Sequence, residues 1–521
     1  MIRGSVTAVV YQNEANGYSV IRFAQEDGET ITVVGTIPMC TQGERLVITG
    51  HWENHSSHGA QFRAEFLERL MPDGAAEIEK YLASRAIRGI GPRTAKRIVE
   101  RFGAQTFAVM EECPERLAEV PGISMKKAVE IGENFQRQFG MRKLLEYLMS
   151  HGMPSELAMP LFKAYGDLAQ EALQDDPYLL TDSFFGADFS QVDAFAVSLG
   201  VDAEDSRRVE AATLYTLRHN LGNGHTFLPG DKLRDATAAM ISVRLQAVEE
   251  AMESLHETGR IVLDTLKEIP VVYLPEYHEA ETYVASWMRS RAQGAVDPPS
   301  HLQGMVRAIE TDSGLTYAPD QKQAIATAAE HRVMLLTGGP GTGKTTTVNG
   351  ILALFDRMDM KTELAAPTGR AAKRLGELCG REASTIHRLL ETQFDPEDGK
   401  LCFMHDESEP LKADAVIVDE TSMVDILLME ALLRALKPEC RLILVGDPDQ
   451  LPSVGAGNLF SDLIRSKRIP TVRLTEIFRQ ARESLIVMNA HSINQGDIPE
   501  LGRKDKDFFL LVRRDNQSIV E

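Results

Sequence analysis

The stretch GGPGTGKTTT, residues 338–347, determines the fold of the region around it. It matches the pattern G-x-x-x-x-G-K-[ST] through Gly338, Gly343, Lys344 and Thr345. Backbone N–H groups can surround a polyphosphate only where no Cβ intervenes, so such a loop is built from glycines. The apolar run before it predicts a strand, and the run after it predicts a helix whose N-terminus attracts anions. The stretch therefore predicts a phosphate-binding loop in an α/β domain.

The residue types of this loop indicate how a nucleotide would be held. Lys344 can reach the β- and γ-phosphates, and the hydroxyl of Thr345 can ligate Mg²⁺. Upstream, Gln321 in LTYAPDQKQAI carries the paired donor and acceptor that could read an adenine edge. ATP and Mg²⁺ are therefore the expected cofactors. The predicted nucleotide contacts are Gln321, Gly339, Pro340, Gly341, Thr342, Gly343, Lys344, Thr345 and Thr346.

Later motifs supply residues that could act on the bound nucleotide. DAVIVDETSM reads as a buried strand that ends at Asp419, placed to hold Mg²⁺, and Glu420, placed to polarise the attacking water. LILVGDPDQLPS repeats this layout, and the amide of Gln450 could report whether the γ-phosphate is present. LTEIFRQ adds Arg479, whose guanidinium could stabilise charge on that phosphate. The predicted catalytic residues are Lys344, Thr345, Asp419, Glu420, Gln450 and Arg479, and the predicted metal ligands are Thr345 and Asp419.

Between these nucleotide motifs, two segments suit contact with a phosphate backbone. APTGRAAKRL combines small residues, including Pro367 and Thr368, with the charges of Arg370, Lys373 and Arg374. STIHRLL contains His387, which could stack on a base or belong to the core. The sequence leaves those two roles for the histidine open.

Composition is that of a soluble multidomain protein that can bind nucleic acid. The 521 residues are 43% hydrophobic and 25% charged, which predicts three or four domains with ample cores. No apolar run approaches the ~18 residues of a membrane span, and the five cysteines are scattered, which favours a cytoplasmic protein without a membrane association. Although the net charge of the chain is −20, residues 79–143 are locally basic, with 13 Lys/Arg and 8 Asp/Glu. Because a local basic patch decides where a phosphate backbone lies, the acidic total does not exclude DNA.

The N-terminal half predicts two further kinds of domain. Residues 1–75 read as five short alternating strands, typical of a small OB-like β-barrel. Within residues 76–145, IRGIGPRTAKRIVERFG (87–103) is echoed by VPGISMKKAVEIGENFQ (120–136), each a Gly-rich turn before a helix. This near-repeat resembles the tandem helix-hairpin-helix motif, in which helix N-terminal amides bind a backbone phosphate. A plain helical packing hairpin remains the alternative. The predicted DNA contacts here and in the nucleotide-binding region are Gly89, Gly91, Lys96, Arg97, Gly122, Lys126, Lys127, Pro367, Thr368, Arg370 and His387.

The remaining segments complete a predicted order of five regions. Residues 146–295 read as helical, with a helix, helix and two strands near the end, as in a winged helix. Residues 301–470 hold the phosphate loop and the strand ends that follow it, and alternate strands with helices as a parallel α/β sheet does.

Together, GGPGTGKTTT, APTGRAAKRL, STIHRLL, VIVDETSMVD, VGDPDQLPSVGAGN and LTEIFRQ resemble superfamily 1 DNA helicases of the RecD-like branch. The N-terminal β-segment and the paired hairpins resemble the long form of that family. Membership implies ATP-driven 5′→3′ movement on single-stranded DNA in recombination or repair. It also implies a motor of two RecA-like lobes, with ATP bound in the cleft between them.

The sequence predicts that residues 471–521 are only the start of a second RecA-like lobe. They offer one helix, SLIVMNAHSINQG, and one strand, FFLLV, whereas a full α/β lobe takes on the order of 100 residues. We therefore expect an engineered fragment or a shortened gene product that unwinds little alone, with a protein partner supplying motor function. A non-catalytic DNA-binding fragment acting through the hairpins is the alternative. A phosphate-loop kinase is disfavoured because VGDPDQLPS and APTGRA have no role in one.

Overall fold

The protein is described here by a computed structural model, in which the chain divides into two compact units, Met1–Ala211 and Ala212–Glu521. Each unit is described by itself. The structure describes residues 1–13, 18–37, 40–55, 59–70, 74–83, 87, 89–182, 184–292, 296–394, 401–478, 483–503 and 507–511.

The first unit opens with a closed five-stranded barrel in the order β1-β2-β3-β5-β4. Its pairs are antiparallel except β3 with β5, which run parallel. Alternate residues such as Ile21, Phe23, Ile31 and Val33 point inward and form the barrel core. The small β-barrel of the predicted fold class is therefore confirmed. The strands are β1 Ile2–Gln12, β2 Tyr18–Gln25, β3 Thr30–Thr36, β4 Arg45–His55 and β5 Gly59–Leu70.

Helices fill the rest of the first unit. Two of them, α2 and α4, start directly after glycine turns and share one apolar core with α1 and α3. Ser124 caps α4 by accepting a hydrogen bond from the backbone N–H of Lys127. The helices are α1 Ala75–Ala83, α2 Pro92–Phe102, α3 Thr106–Glu112, α4 Met125–Ser150, α5 Ala158–Tyr165, α6 Ala169–Asp175 and α7 Phe189–Ser198.

A buried ionic cluster ties the barrel to these helices. Arg142 on α4 donates to Glu44 beside β4 at 2.5 Å and to the hydroxyl of Tyr81 at 2.6 Å. Arg69 on β5 lies 3.4 Å from the same carboxylate. Glu44 and Arg142 are 5% and 8% exposed, so each charge depends on its partner for stabilisation.

The second unit begins with a helical module that contains a small sheet. Helix α8 crosses the boundary between the units and is followed by β6, α9, α10 and the β7–β8 hairpin, with sheet order β6-β8-β7. This is the element order of a winged helix, and it adds α9 and β6 to the elements that the sequence indicated. The bounds are α8 Ser206–Leu221, β6 Phe227–Pro229, α9 Gly230–Ile241, α10 Leu245–Glu257, β7 Val262–Leu266, β8 Ile269–Tyr273 and α11 Pro275–Ala292.

A six-stranded parallel sheet, β11-β10-β14-β15-β9-β16, forms the centre of the second unit. Strands β9, β14 and β15 are buried along their whole length, because apolar helices cover both faces of the sheet. The RecA-like phosphate-loop lobe of the predicted fold class is therefore confirmed. The strands are β9 Val333–Gly338, β10 Thr362–Ala366, β11 Ser384–Thr385, β14 Ala415–Val418, β15 Arg441–Gly446 and β16 Thr471–Leu474, with a separate hairpin of β12 Thr392–Phe394 and β13 Leu401–Phe403.

The predicted C-terminal boundary of this lobe lies too early in the chain. Strand β16 pairs in parallel with β9, so the sheet extends to Leu474 and the predicted boundary at residue 470 is wrong. Beyond it, the predicted helix in SLIVMNAHSINQG is present as α19, whereas the described part of FFLLV, residues 508–511, is not a strand. The helices are α12 Leu302–Ser313, α13 Pro319–Glu330, α14 Lys344–Arg357, α15 Gly369–Cys379, α16 Ile386–Leu389, α17 Ile426–Arg434, α18 Leu459–Ser466 and α19 Leu485–Asn494.

Among the residues that the structure describes, no helix combines the length and the apolar character that crossing a membrane requires.

Candidate nucleotide site and nucleic-acid surface

The parallel sheet brings three functional segments to one edge. Strands β14, β15 and β9 are neighbours in that order, so the residues that follow them meet at the carboxyl end of the sheet. The segments are the phosphate loop after β9, the carboxylates Asp419 and Glu420 after β14, and the loop of Asp447 and Gln450 after β15. Parallel topology therefore explains why motifs far apart in sequence form one site.

The phosphate loop is packed so closely that a side chain on Gly339 or Gly343 would lie within 3 Å of a neighbouring ring. A Cβ on Gly343 would lie 2.7 Å from Nε2 of Gln321 and 2.7 Å from the ring of Phe478. A Cβ on Gly339 would lie 2.5 Å from the ring of His491. Gly343 also has a φ of +81°, in the left-handed region that glycine adopts most readily. The loop therefore needs glycine at these positions for packing as well as for access to a phosphate.

Lys344 lies across the loop that precedes it. Its ammonium donates to the carbonyl of Gly338 at 2.6 Å and to that of Gly339 at 3.2 Å. Thr345 and Thr346 follow it in the first turn of α14 and are half-buried, whereas Thr342 is buried and donates to the Gly339 carbonyl. A positive charge thus stands at the helix N-terminus, where a phosphate would be attracted.

The two carboxylates after β14, Asp419 and Glu420, have surroundings that a cation would stabilise. Burial raises the pKa of Asp419 and of Glu420 above the usual carboxyl values, while Lys344 and Arg374 lower both. Glu420 has a φ of +52°, which is uncommon for a residue with a side chain. Its buried Oε2 has no hydrogen-bond partner among the described residues. Such a group at a strand end fits a site that a hydrated cation or a water completes.

The loop after β15 places an exposed amide beside a buried carboxylate. Asp447 is 4% exposed, and its Oδ1 accepts from the backbone N–H of Asp449 at 3.1 Å. Gln450, whose backbone N–H donates to the Asp447 carbonyl, is exposed. The turn therefore fixes the backbone at Gln450 and leaves its side chain accessible to a ligand.

The structure gives Gln321 a clear local contact. The residue is 2% exposed, its Oε1 accepts from the backbone N–H of Ala318 at 3.0 Å, and its Nε2 donates to the carbonyl of Gly343 at 3.4 Å. Both ends of the amide thus bond within the protein, against the phosphate loop. A contact with adenine would require these bonds to exchange, and that role stays a prediction.

Some contacts of the phosphate loop come from residues that the motif search did not select. The backbone N–H of Phe478 donates to the Gly341 carbonyl at 3.3 Å, and His491 contacts the Pro340 carbonyl. The position of Phe478 next to Arg479 was a usable signal, whereas nothing in the sequence around His491 pointed to the loop. Arg479 itself lies outside the described residues.

The predicted DNA contacts near the nucleotide site differ in exposure: Pro367 and Thr368 are half-buried, whereas Arg370 and His387 are exposed. Thr368 is the N-cap of α15, and its hydroxyl accepts from the backbone N–H of Ala371 at 3.3 Å, while Pro367 is half-buried before it. Arg370 is exposed on the first turn of that helix. His387 is exposed, with its ring centroid 5.9 Å from that of Phe403, so the alternative of a core histidine is excluded.

In the hairpin region, the glycines and the basic residues occupy distinct places. Gly89 and Gly122 have φ values of +94° and +92°, so the two turns share one left-handed conformation. Gly91 is the N-cap of α2, and Pro92 follows it at the first helical position. The first helical residues after the two turns, Pro92 and Met125, are exposed, so both helix N-termini are accessible from solvent.

The basic side chains of the hairpins are mostly exposed. Lys96 and Lys126 point to solvent, and Lys127 is half-buried at the start of α4. Arg97 is exposed but donates to the carbonyl of Pro121 at 3.1 Å, so it also joins the two hairpins. Lys96 lies 3.9 Å from Glu100, a surface pair that contributes little to stability.

Comparison with protein families matches four regions of the chain. Residues 1–72 match the OB-fold domain of the ATP-dependent DNA helicase YrrC, and residues 81–135 match a SAM-like helix-hairpin-helix tandem. Residues 137–227 match the HHH domain of the ATP-dependent RecD2 DNA helicase, and residues 316–510 match an AAA domain. The third match places a helix-hairpin-helix region where the sequence indicated only helices.

Comparison with individual proteins covers nearly the whole chain. The ATP-dependent RecD2 DNA helicase of Deinococcus radiodurans is 32% identical over 520 residues, which span 96% of this chain and 71% of that protein. The RecBCD enzyme subunit RecD of Mycobacterium tuberculosis is 42% identical over 225 residues, 38% of each chain. A Pif1 helicase structure from Candida albicans, at 22% identity, covers 36% of this chain and 46% of that one with a TM-score of 0.27, which carries no argument about the fold. On the extent of the first match, the chain belongs to the family of ATP-dependent RecD2 DNA helicases.

Proposed function

We propose that this protein hydrolyses ATP to move 5′→3′ along single-stranded DNA in recombination or repair. The observation that carries the proposal is that Lys344, Asp419 and Glu420 meet at one edge of the parallel sheet, where the lysine partly offsets the rise in pKa that burial gives both carboxyl groups. A charged lysine, two carboxylates and a glycine loop are the groups that phosphoryl transfer from a nucleotide requires. The direction of movement rests on the family resemblance.

Each residue of the site has a distinct proposed role. Lys344 would exchange its bonds with the loop carbonyls for bonds with the β- and γ-phosphates. Glu420 would orient the attacking water and accept its proton, which suits a half-buried carboxylate with a raised pKa. Gln450 would contact the γ-phosphate from the loop after β15, and Arg479 would stabilise its charge.

The residues also fit Mg²⁺, which would supply charge neutralisation between the β- and γ-phosphates when bound. Thr345 would offer its hydroxyl from the first turn of α14, and Asp419 would act through a water molecule. The half-buried Asp419 has a raised pKa because of desolvation, so a divalent cation would favour its ionised form.

For DNA, we propose two surfaces of different character. In the hairpins, Gly89, Gly91 and Gly122 would let helix N-termini reach phosphates, with charge from Lys96, Arg97, Lys126 and Lys127. In the motor lobe, the exposed Arg370 and His387 would meet the strand through backbone contact and base stacking, beside Pro367 and Thr368. Neither surface reads sequence, so binding should depend strongly on salt.

The experiment that tests the function compares duplexes with a 5′ or a 3′ single-stranded tail. Unwinding and ATP turnover are measured with the unaltered chain and with the K344A variant. We expect ATP turnover to be low but to rise with single-stranded DNA, the limited unwinding to prefer the 5′ tail, and K344A to lose turnover while keeping DNA affinity. DNA binding with no nucleotide binding would instead favour a DNA-binding fragment that acts through the hairpins.

A further inference from the structure

Helix α19 contacts two of the three segments that form the nucleotide site. His491 and Asn494 are three positions apart, so they lie on the same face of the helix. Nε2 of His491 is 3.0 Å from the carbonyl oxygen of Pro340, inside the phosphate loop. Nδ2 of Asn494 donates to Oδ2 of Asp449 at 2.7 Å, next to Gln450. One helical face therefore bridges the loop after β9 and the loop after β15.

The chemistry of the histidine contact fixes its direction. A carbonyl oxygen can only accept a hydrogen bond, so Nε2 of His491 carries the proton and donates it to Pro340. The same ring fills the space where a side chain at Gly339 would lie, at a distance of 2.5 Å. The carbonyl of Gly339 in turn accepts from Lys344. The imidazole thus supports the loop segment from which the lysine must be released when phosphates enter.

The helix that carries these residues is ordered by contacts within its own segment of the chain. Asn489 is 3% exposed and makes a paired contact with Glu500, donating to its carbonyl at 2.9 Å and accepting from its N–H at 2.7 Å. Ser484 caps the helix by accepting from the backbone N–H of Val487. The buried amide and the cap order residues 484–500 as one segment, so His491 and Asn494 keep a fixed spacing on α19 and their two contacts act together.

We propose that His491 and Asn494 are positioning residues that hold the phosphate loop and the Gln450 loop at the separation a magnesium nucleotide requires. His491 acts through Pro340 on the part of the site that every adenine nucleotide uses. Asn494 acts through Asp449 on the loop that would contact the γ-phosphate. This inference deepens the proposed function and rests on it.

The two roles predict different nucleotide dependences. Replacing His491 with alanine should weaken binding of a fluorescent ADP and of a fluorescent non-hydrolysable ATP analogue by the same factor, ~3- to 10-fold, the worth of one hydrogen bond. Replacing Asn494 with alanine should weaken only the triphosphate analogue by a similar factor. H491Q keeps an N–H donor and should recover part of the affinity. A general effect on packing would not separate the two nucleotides.

The test measures both dissociation constants for H491A, H491Q, N494A and the control I493A, with thermal unfolding recorded for each. Ile493 is 56% exposed on the same helix, so its truncation should leave both constants unchanged. Wild-type constants in H491A, or equal losses in I493A and H491A, would overturn the inference. If the unaltered chain bound neither nucleotide, the proposed function would fail first, and that result is distinct from a failure of the variants.

Discussion

Replacing Gly343 with alanine tests whether the packed geometry of the phosphate loop controls nucleotide affinity. Alanine at a φ of +81° costs ~1 kcal/mol, because its Cβ crowds the backbone in the left-handed region. The same Cβ would lie 2.7 Å from both Gln321 and Phe478, and such overpacking costs a further ~1–3 kcal/mol. A loop can relieve this strain by moving, so the cost appears when a nucleotide requires the original conformation.

The combined cost of ~2–4 kcal/mol predicts a loss of nucleotide affinity between ~30-fold and ~10³-fold. Gly314 provides a matched control, since its φ is +64° and no described atom lies within 4 Å of the position of an added Cβ. G314A should therefore lower stability by ~1 kcal/mol and leave the affinity unchanged. The assay is titration of a fluorescent ATP analogue, with thermal unfolding of both variants. Affinities for G343A and G314A within ~3-fold of each other would mean that the packing around Gly343 does not control nucleotide binding.

Three further predictions concern charge. D419N should raise the melting temperature of the nucleotide-free chain at pH 7. The pKa of Asp419 is raised by burial in the folded state, so its contribution to stability is present at low pH and is lost as the pH rises through that pKa. The gain from D419N should therefore shrink toward pH 4, and a gain that stays constant with pH would contradict this. The double variant K96A/K126A should bind single-stranded DNA more weakly, and the slope of log affinity against log salt concentration should fall in magnitude by ~1–2. Fluorescence anisotropy at several salt concentrations measures this slope, and an unchanged slope would mean that DNA binds elsewhere. E44A should lower the free energy of unfolding of the N-terminal region by ~3–5 kcal/mol, because it leaves Arg142 buried without its carboxylate partner. This free energy is measured by denaturant unfolding, and a loss below ~1 kcal/mol would mean that water replaces the carboxylate.

The sequence predicted the architecture well where local pattern and tertiary structure agree. Alternating residues such as Ile21 and Phe23 indicated the barrel, and the buried run Ala415–Val418 indicated the central sheet. Strand β16 was assigned to the following region because a short strand carries no signal of its neighbour, and only its pairing with β9 places it in the first sheet. The second helix-hairpin-helix region was missed because its turns lack the repeated Gly-Ile signature.

The candidate site was predictable in its residues more than in its contacts. Parallel topology brings Lys344 and Asp419 to one edge, which follows from the order of strand and motif. The sequence could not predict that the Gln321 amide is occupied within the protein, because that depends on the distance to Gly343. It also could not predict the contact of His491 with the phosphate loop, since the two are 151 positions apart and no motif links them.

In the proposed function, the phosphate loop and the two carboxylates couple ATP hydrolysis to single-stranded DNA. Steady-state ATP turnover of the unaltered chain and of E420Q, measured against DNA concentration, tests it most directly. We expect turnover to rise with DNA, and E420Q to lower turnover at least ~10²-fold while nucleotide affinity is kept. A turnover rate that does not change with DNA concentration, or a rate in E420Q close to that of the unaltered chain, would contradict this coupling.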